Sequence, residues 1–472
     1  MDAPAAVPRT DSSTPVAPRV VIAVPFHEWL TAAAARLLRA PLLRRFLYGA
    51  SWNALATFAA RALALLGTIY VARTLGRDPL GQFGAVQTTV GMFGVFAGCG
   101  LGIATTKFVA ELRRSDPQRT GRIIAWSQLA ATLLGGLFSG VCLLLSNWLA
   151  SSVLAAPELT RPLQLGSALI LCNTIHGVQS ATLAGLEAFR AIGLLNIVGG
   201  MAAFCGVVLG ARWGGVEGAV AALSAAAAVQ ALLGQWVLRA VIRAEAIPLF
   251  FSDAWRETAT LLQFAVPLAL SSLTVLPTEW MVSAYLANQP GGYGQLGLYS
   301  AACQWFNALL LVPMVVGQAA LPMLAERWSR GDRRGFQRLM LLAMATNFGI
   351  VLPLVAVGWR LSHWLMTRNG EAFAEGADVL SVLLAATLVM ALQTPVGNSL
   401  QASGRTGISL AMNLAWAATY LVLAWLLISS GALGVAWARL LAYGAHTIWV
   451  FAYVLRQLSA LPRAVPREQG ER

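Results

Sequence analysis

The chain has 472 residues, of which 57% are apolar and only 11% charged, with a formal net charge of +13. A water-soluble fold of this length needs a polar shell that so few charged residues do not supply, which excludes a soluble globular domain. The basic surplus does not point to nucleic acid either. Lys107 is the only lysine, and the arginines gather between apolar runs, as on a cytoplasmic membrane face.

From the N-terminus, Met1 to Val24 is rich in Pro, Ala, Ser and Thr and reads as a disordered tail without a cleavable signal peptide. Phe26 to Leu47 reads as a basic amphipathic anchor. Trp29, Leu37, Leu38 and Leu43 are its apolar positions, and Arg36, Arg39, Arg44 and Arg45 lie near anionic headgroups of the membrane lipids. Apolar runs of about 20 to 25 residues follow, each long enough to cross the hydrocarbon core as a helix. They fall at 48–72, 80–105, 123–149, 163–186, 191–211, 216–238, 261–286, 296–323, 339–365, 379–401, 408–428 and 433–455. Strand-like alternation is absent, and lipid offers backbone groups no outside partner, so the spans are helices. The expectation is an all-α polytopic membrane protein with about twelve transmembrane helices.

Loop charges orient it. Bases crowd the second-to-third loop (Lys107, Arg113, Arg114, Arg119, Arg122), the sixth-to-seventh (Arg239, Arg243, Arg256), the eighth-to-ninth (Arg327, Arg330, Arg333, Arg334, Arg338) and the C-terminal tail. The alternate loops hold few, and the ninth-to-tenth sets Arg368 against Glu371, Glu375 and Asp378. An even number of spans with both termini cytoplasmic satisfies the series.

The two halves of the sequence resemble each other. Gly81, Gln82 and Gly84 recur as Gly294, Gln295 and Gly297, and Asp116 recurs as Asp332. Gly215 and Gly218 recur as Gly431 and Gly434. The offset stays near about 215 positions, the mark of two parallel repeats enclosing a cavity between lobes. The expected organisation is a tail and anchor over 1–46, an N-lobe over 47–240, an interfacial linker helix over 241–260, a C-lobe over 261–458 and a cytoplasmic tail over 459–472, with six helices per lobe (about half of the total).

Ionisable groups at membrane depth cost about 2.5 to 3.5 kcal/mol each, so they seek a cavity or a partner. Arg61, in the middle of the first span, reads as an anion contact in a central cavity or as a guanidinium paired with helix carbonyls. The shallower Arg439 has the same two readings. His176, with Asn173 and Gln179 one turn away, carries a proton, meets sugar hydroxyls or ties helices together. Glu279 follows Pro277 and binds a coupling cation, pairs with an arginine or faces water.

An amide set completes the list of polar groups: Gln87, Gln128, Gln263, Gln304, Asn307, Gln318, Asn347, Gln393 and Asn398. Gln304 and Asn307 lie beside Trp305, and with Trp416 the set suits sugar recognition; amides also tie helices in lipid. The five cysteines all fall inside spans, without disulfide or metal-ligand spacing. No nucleotide-phosphate loop, catalytic set or cofactor motif appears. A cavity with Arg61 and no carboxylate in the N-terminal spans favours an anionic substrate over an organic cation.

Tyr70, Leu75, Gly76, Gly81, Phe83 and Gly84, on to Ala110 and Glu111, resemble the first-to-second span signature of the oligosaccharide flippases. Phe264 to Pro267 opens the second half in the same manner. Gly215, Gly218 and Ala219 are similar to the sixth-span entry. This family sits in the multidrug/oligosaccharidyl-lipid/polysaccharide exporter superfamily. The resemblance implies two lobes around a V-shaped cavity in the bacterial inner membrane, and translocation of undecaprenyl-pyrophosphate-linked oligosaccharide by alternating access. It implies that glycan lipid as substrate, a polysaccharide polymerase as partner protein, and no enzymatic step. A guanidinium at Arg61 suits the pyrophosphate. Lipid II flippases of the superfamily carry about fourteen spans, more than are counted here. The drug-antiporter branch carries an N-lobe carboxylate that this sequence lacks. A drug or metabolite cation antiporter and a membrane glycosyltransferase or polymerase are the competing readings. The charge pattern makes one direct prediction: a topology reporter fused after Gly291 reads extracytoplasmic, and a cytoplasmic reading there contradicts the topology.

Overall fold

The computed structural model describes residues 41–250, 253–263, 265, 273–402 and 406–460. The expected tail and anchor up to residue 40, the tail from 461, Phe264 with Val266 and Pro267, and the side chain of Gln318 lie outside the described residues. Residues 49–472 make one compact unit, and residues 1–48 another, of which only the opening of a helix is described.

The described residues form helices joined by short turns, without a strand. Its helices are α1 (Pro41–Leu75), α2 (Arg77–Gly98), α3 (Leu101–Leu112), α4 (Pro117–Trp148), α5 (Thr160–Gly185), α6 (Phe189–Ala244), α7 (Val275–Ala287), α8 (Gly292–Ser329), α9 (Arg333–Arg360), α10 (Ser362–Thr367), α11 (Ala377–Ala402), α12 (Thr406–Leu427) and α13 (Gly431–Ala460). Among the described residues, 7 helical segments are long and apolar enough to cross a membrane, or 8 when the bent pair α2 and α3 counts as one. One of them, α6, covers two expected spans. It folds back at Gly214 and Gly215, so that Gly210 lies against Gly218.

The expected second span is broken. Cys99 (φ 38°) and Gly100 (φ 69°) are left-handed, and α3 leaves α2 at 41°. Gly100 is needed there, because a Cβ would sit 2.6 Å from the Ala265 carbonyl oxygen. The expected linker helix over 241–260 also differs. Helix α6 runs on to Ala244, the backbone at 247–250 is non-helical, and helix resumes only with a short 3₁₀ turn at Ala254–Glu257 that leads into helical residues 258–263. Pro248 supplies no helix donor. Its carbonyl lies directly on α4, where a Cβ on Gly121 would meet it at 1.7 Å. Glu257, 5% exposed, holds Arg119 at 3.2 Å and Arg122 at 3.6 Å.

The repeat read from sequence has matching local geometry. Gly215 (φ 58°, ψ −138°) and Gly431 (φ 60°, ψ −137°) adopt one conformation, open only to glycine. Asp116 and Asp332 both cap a helix, accepting the N–H of Arg119 at 2.9 Å and of Gly335 at 2.8 Å. Neighbouring guanidinium and amide groups shape the acids at this end. The Gly335 N–H and Arg327 hold the Asp332 carboxyl below the usual range, and Arg113 does the same for Glu187.

The apolar core shows how the halves meet. One buried cluster joins both, through Val71, Leu80, Phe83, Leu154 and Leu159 on one side and Leu286, Leu296, Phe373 and Leu380 on the other. Toward the opposite end the core divides. One cluster is drawn from 104–265 and another from 320–450.

Candidate functional site

Helices α2 and α8 touch backbone to backbone. A Cβ on Gly81 would sit 2.0 Å from the Tyr293 carbonyl oxygen, and one on Gly297 would sit 2.1 Å from that of Arg77. Around this crossing Arg77 pairs with Glu375 at 2.9 Å, and Arg73 donates to the Arg368 carbonyl. Tyr293 Oη donates to the Leu154 carbonyl at 2.7 Å, and Asn288 to that of Val153 at 2.7 Å. This end is closed.

Further along, the two helices part. Gly84 still meets Ser300 of α8, but Gly91, Gly94 and Gly98 have nothing within 4 Å of an added Cβ. With Gln87 they form one face of α2, by helical spacing. On α8 the face that carries Ser300 continues through Gln304 and Asn307. Gln87 and Asn307 are exposed and Gln304 is half-buried. A cleft therefore opens from the crossing between a bare glycine face and an amide face. Two predicted site residues, Gln304 and Asn307, line it.

Arg61 is exposed and makes no ion pair with another described residue. Helix α1 packs on α6 through Ala56, Ala60, Leu63 and Gly67, against Gly193, Gly200, Phe204 and Val207. Arg61 lies off that stripe. His176 sits elsewhere, in a polar seam joining α4, α5 and α6. Its Nε2 lies 3.3 Å from Ser180 Oγ. Beside it Gln179 donates to the Ala231 carbonyl and to Gln235 at 3.0 Å each, and Gln235 donates to Gln128 at 3.1 Å. The amides there tie helices, as Asn347 does by donating to the Ala391 carbonyl and Gln393 by accepting from Thr447. Trp416, read as a sugar platform, is buried instead. It is 4% exposed and stacked on Tyr443 at 5.2 Å.

Glu279 and Arg439, each open to several readings in the sequence, are brought together. Arg439 Nη2 lies 2.8 Å from Glu279 Oε1, and both side chains are almost wholly buried. The guanidinium also donates to Tyr299 Oη at 3.0 Å and lies 4.3 Å over the Phe306 ring. Tyr299 is joined to Tyr420 at 3.1 Å. Sequence reasoning missed this surround. Its signal was present as helical spacing: Tyr299, Cys303 and Phe306 on α8, and Arg439 and Tyr443 on α13. Trp280 was missed as well. It donates to Thr89 of α2 at 2.9 Å, from one half of the chain to the other.

This fold, with its cleft between two halves, defines an all-α polytopic membrane protein of transporter architecture. The chain belongs to the polysaccharide biosynthesis protein family, whose sequence profile matches residues 46–328. The MatE profile matches residues 267–426. The chain is similar to the EPS I polysaccharide export inner membrane protein EpsE of Ralstonia solanacearum, 22% identical over 383 residues, 80% of this chain and 85% of that one. With EpsE of Ralstonia nicotianae the match is 23% over 184 residues and spans 42% of that protein. A putative O-antigen transporter of Shigella flexneri is 23% identical over 404 residues, 82% of this chain and 92% of that one. Among solved structures, the fold matches an inward-facing multidrug resistance MATE family transporter of the MOP superfamily. The TM-score is 0.75 at 16% identity, over 86% of this chain and 98% of that one.

Breaking a buried ion pair strands the other charge, at a cost of about 3 to 5 kcal/mol. Arg439→Met and Glu279→Leu should each lower the thermal midpoint in detergent steeply. The double variant should recover most of the loss. Additive losses would show that the two side chains do not act as a pair.

Proposed function

We propose that this chain carries an undecaprenyl-pyrophosphate-linked oligosaccharide across the bacterial inner membrane by alternating access, for assembly of a surface polysaccharide. The observation that carries the reading is the cleft between α2 and α8, sealed at the Gly81/Gly297 crossing and open beyond it. A glycine face leaves room for a bulky glycan, and Gln87, Gln304 and Asn307 offer donors and acceptors to its hydroxyls. Family membership and the export names of the relatives agree with it.

In this reading twelve spans (about the number that hydropathy gives) form two lobes, both termini are cytoplasmic, and the sealed end faces outward. The isoprenoid tail stays in the bilayer while the headgroup crosses. Arg61, exposed and without an acidic partner among the described residues, meets the pyrophosphate. The protein moves its substrate without altering it and hands it to a polysaccharide polymerase. The MATE-like fold by itself also suits a cation antiporter. Against that, Glu279, the carboxylate buried within the expected spans among the described residues, is already paired with Arg439.

A clean deletion should accumulate the lipid-linked repeat unit on the inner leaflet, and normal surface polysaccharide in that strain contradicts the function. Arg61→Ala should cut export about tenfold at unchanged protein level, the effect of one lost charged hydrogen bond. Full export would remove Arg61 from the site.

A further inference from the structure

Successive residues on a helix point about 100° apart. On α7 this turns Glu279 and Trp280 toward different halves of the chain. Glu279 is bound inside the C-terminal half, to Arg439 of α13, whose guanidinium is itself held by Tyr299 of α8. Trp280 reaches the other way, to Thr89 of α2. Thr89 is fully buried, and its hydroxyl donates to the Ala85 carbonyl at 2.7 Å while accepting from Trp280. Two turns on, Asn288 closes α7 with a second bond to the N-terminal half, at the Val153 carbonyl. One helix of 13 residues is therefore bonded to both halves beside the point where their backbones cross.

The bonds differ in strength. The buried charged pair, with an extra donor contact and an aromatic face on the guanidinium, outlasts a single neutral hydrogen bond. The exposed contacts at this end, such as Arg77 with Glu375, compete with water and hold less. The Trp280–Thr89 bond ends on a fully buried hydroxyl, so water competes for it less.

We infer that α7 is the clamp on the closed end. Glu279 fixes it to α8 and α13, Trp280 hooks it to Thr89, and the hook is the bond that yields when the cleft reverses. The inference rests on the alternating-access reading above. It assigns Glu279, Arg439, Trp280 and Thr89 positioning roles and gives none of them contact with the substrate.

The test is amide hydrogen exchange on the full-length protein in lipid nanodiscs. It follows the two connections at the closed end, 149–159 and 288–291, and α7 itself. Trp280→Phe keeps the ring and Thr89→Val keeps the shape. Each should speed exchange in both connections about fivefold, as expected for one lost hydrogen bond. The double variant should go no further than either single. Thr89→Ser keeps the hydroxyl and should behave as the parent does. Helix α7 should stay protected in all of these, whereas Glu279→Gln should expose α7. Size-exclusion profiles identify any variant that fails to fold, and Thr89→Val and Trp280→Phe then serve as independent probes of one bond. Unchanged exchange in both, or additive effects in the double, overturns the clamp and leaves the transport reading in place. Normal surface polysaccharide in the deletion strain overturns the transport reading, whatever the exchange shows about closure.

Discussion

Two helix backbones in van der Waals contact set the plan of this molecule. Helices α2 and α8 meet where neither has a side chain, at Gly81 and Gly297, and any Cβ at either position would overlap a carbonyl oxygen of the other helix. In lipid, helices gain nothing from hiding apolar surface from each other, so such small-residue contacts bring backbones close and hold them by dispersion and polar bonds. The crossing draws a single apolar core across both halves at one end. Since two straight helices that cross at one point diverge from it, the same contact opens the cleft at the other. There the core is divided between clusters drawn from 104–265 and 320–450.

Charge is the second constraint. A carboxylate and a guanidinium at depth are tolerable only together, and Glu279 with Arg439 is such a pair, set among Tyr299, Tyr420 and Phe306. The positions of the N-terminal half that correspond to Tyr299 and Cys303 by the repeat offset, Val86 and Val90 on α2, are apolar and buried. The two repeats thus share their caps and glycine turns but not their chemistry. What the cleft itself offers is uncharged: glycine on one side, amide on the other. A ligand that is large, hydroxyl-rich and anionic only at its membrane end fits such a surface better than a small cation does.

Much of the fold was legible in the sequence because lipid enforces it. Long apolar runs had to be helices, and the Gly215/Gly431 and Asp116/Asp332 pairs, legible only as recurrences, are glycine turns and helix caps in the structure. The break at Cys99 and Gly100 was not legible, since an apolar run hides a bend caused by two backbone torsions. The linker was misjudged as a helix. Its apolar residues dominate the pattern, while its path is fixed by Gly121 on a helix far away in sequence. Gln304 and Asn307 stood out in the sequence because they are polar at depth, and they share the α8 face that carries Ser300. The pairing of Glu279 with Arg439 was one of several options, for it depends on how α7 and α13 face each other. Trp280 and Thr89 gave no signal, as a tryptophan and a threonine in a span are ordinary. Trp416 gave a misleading one: an indole suits a sugar, yet this one is part of the core.

We propose that the cleft between α2 and α8 conducts a lipid-linked glycan from one leaflet to the other. It is tested most directly with purified protein in liposomes carrying undecaprenyl-pyrophosphate oligosaccharide in the inner leaflet only. The rate at which the glycan becomes accessible to a membrane-impermeant lectin outside is then followed. Exposure should depend on the protein and be abolished by bulky substitutions at Gly91 and Gly94. Exposure no faster than in protein-free liposomes, or unchanged by filling the glycine face, would contradict it.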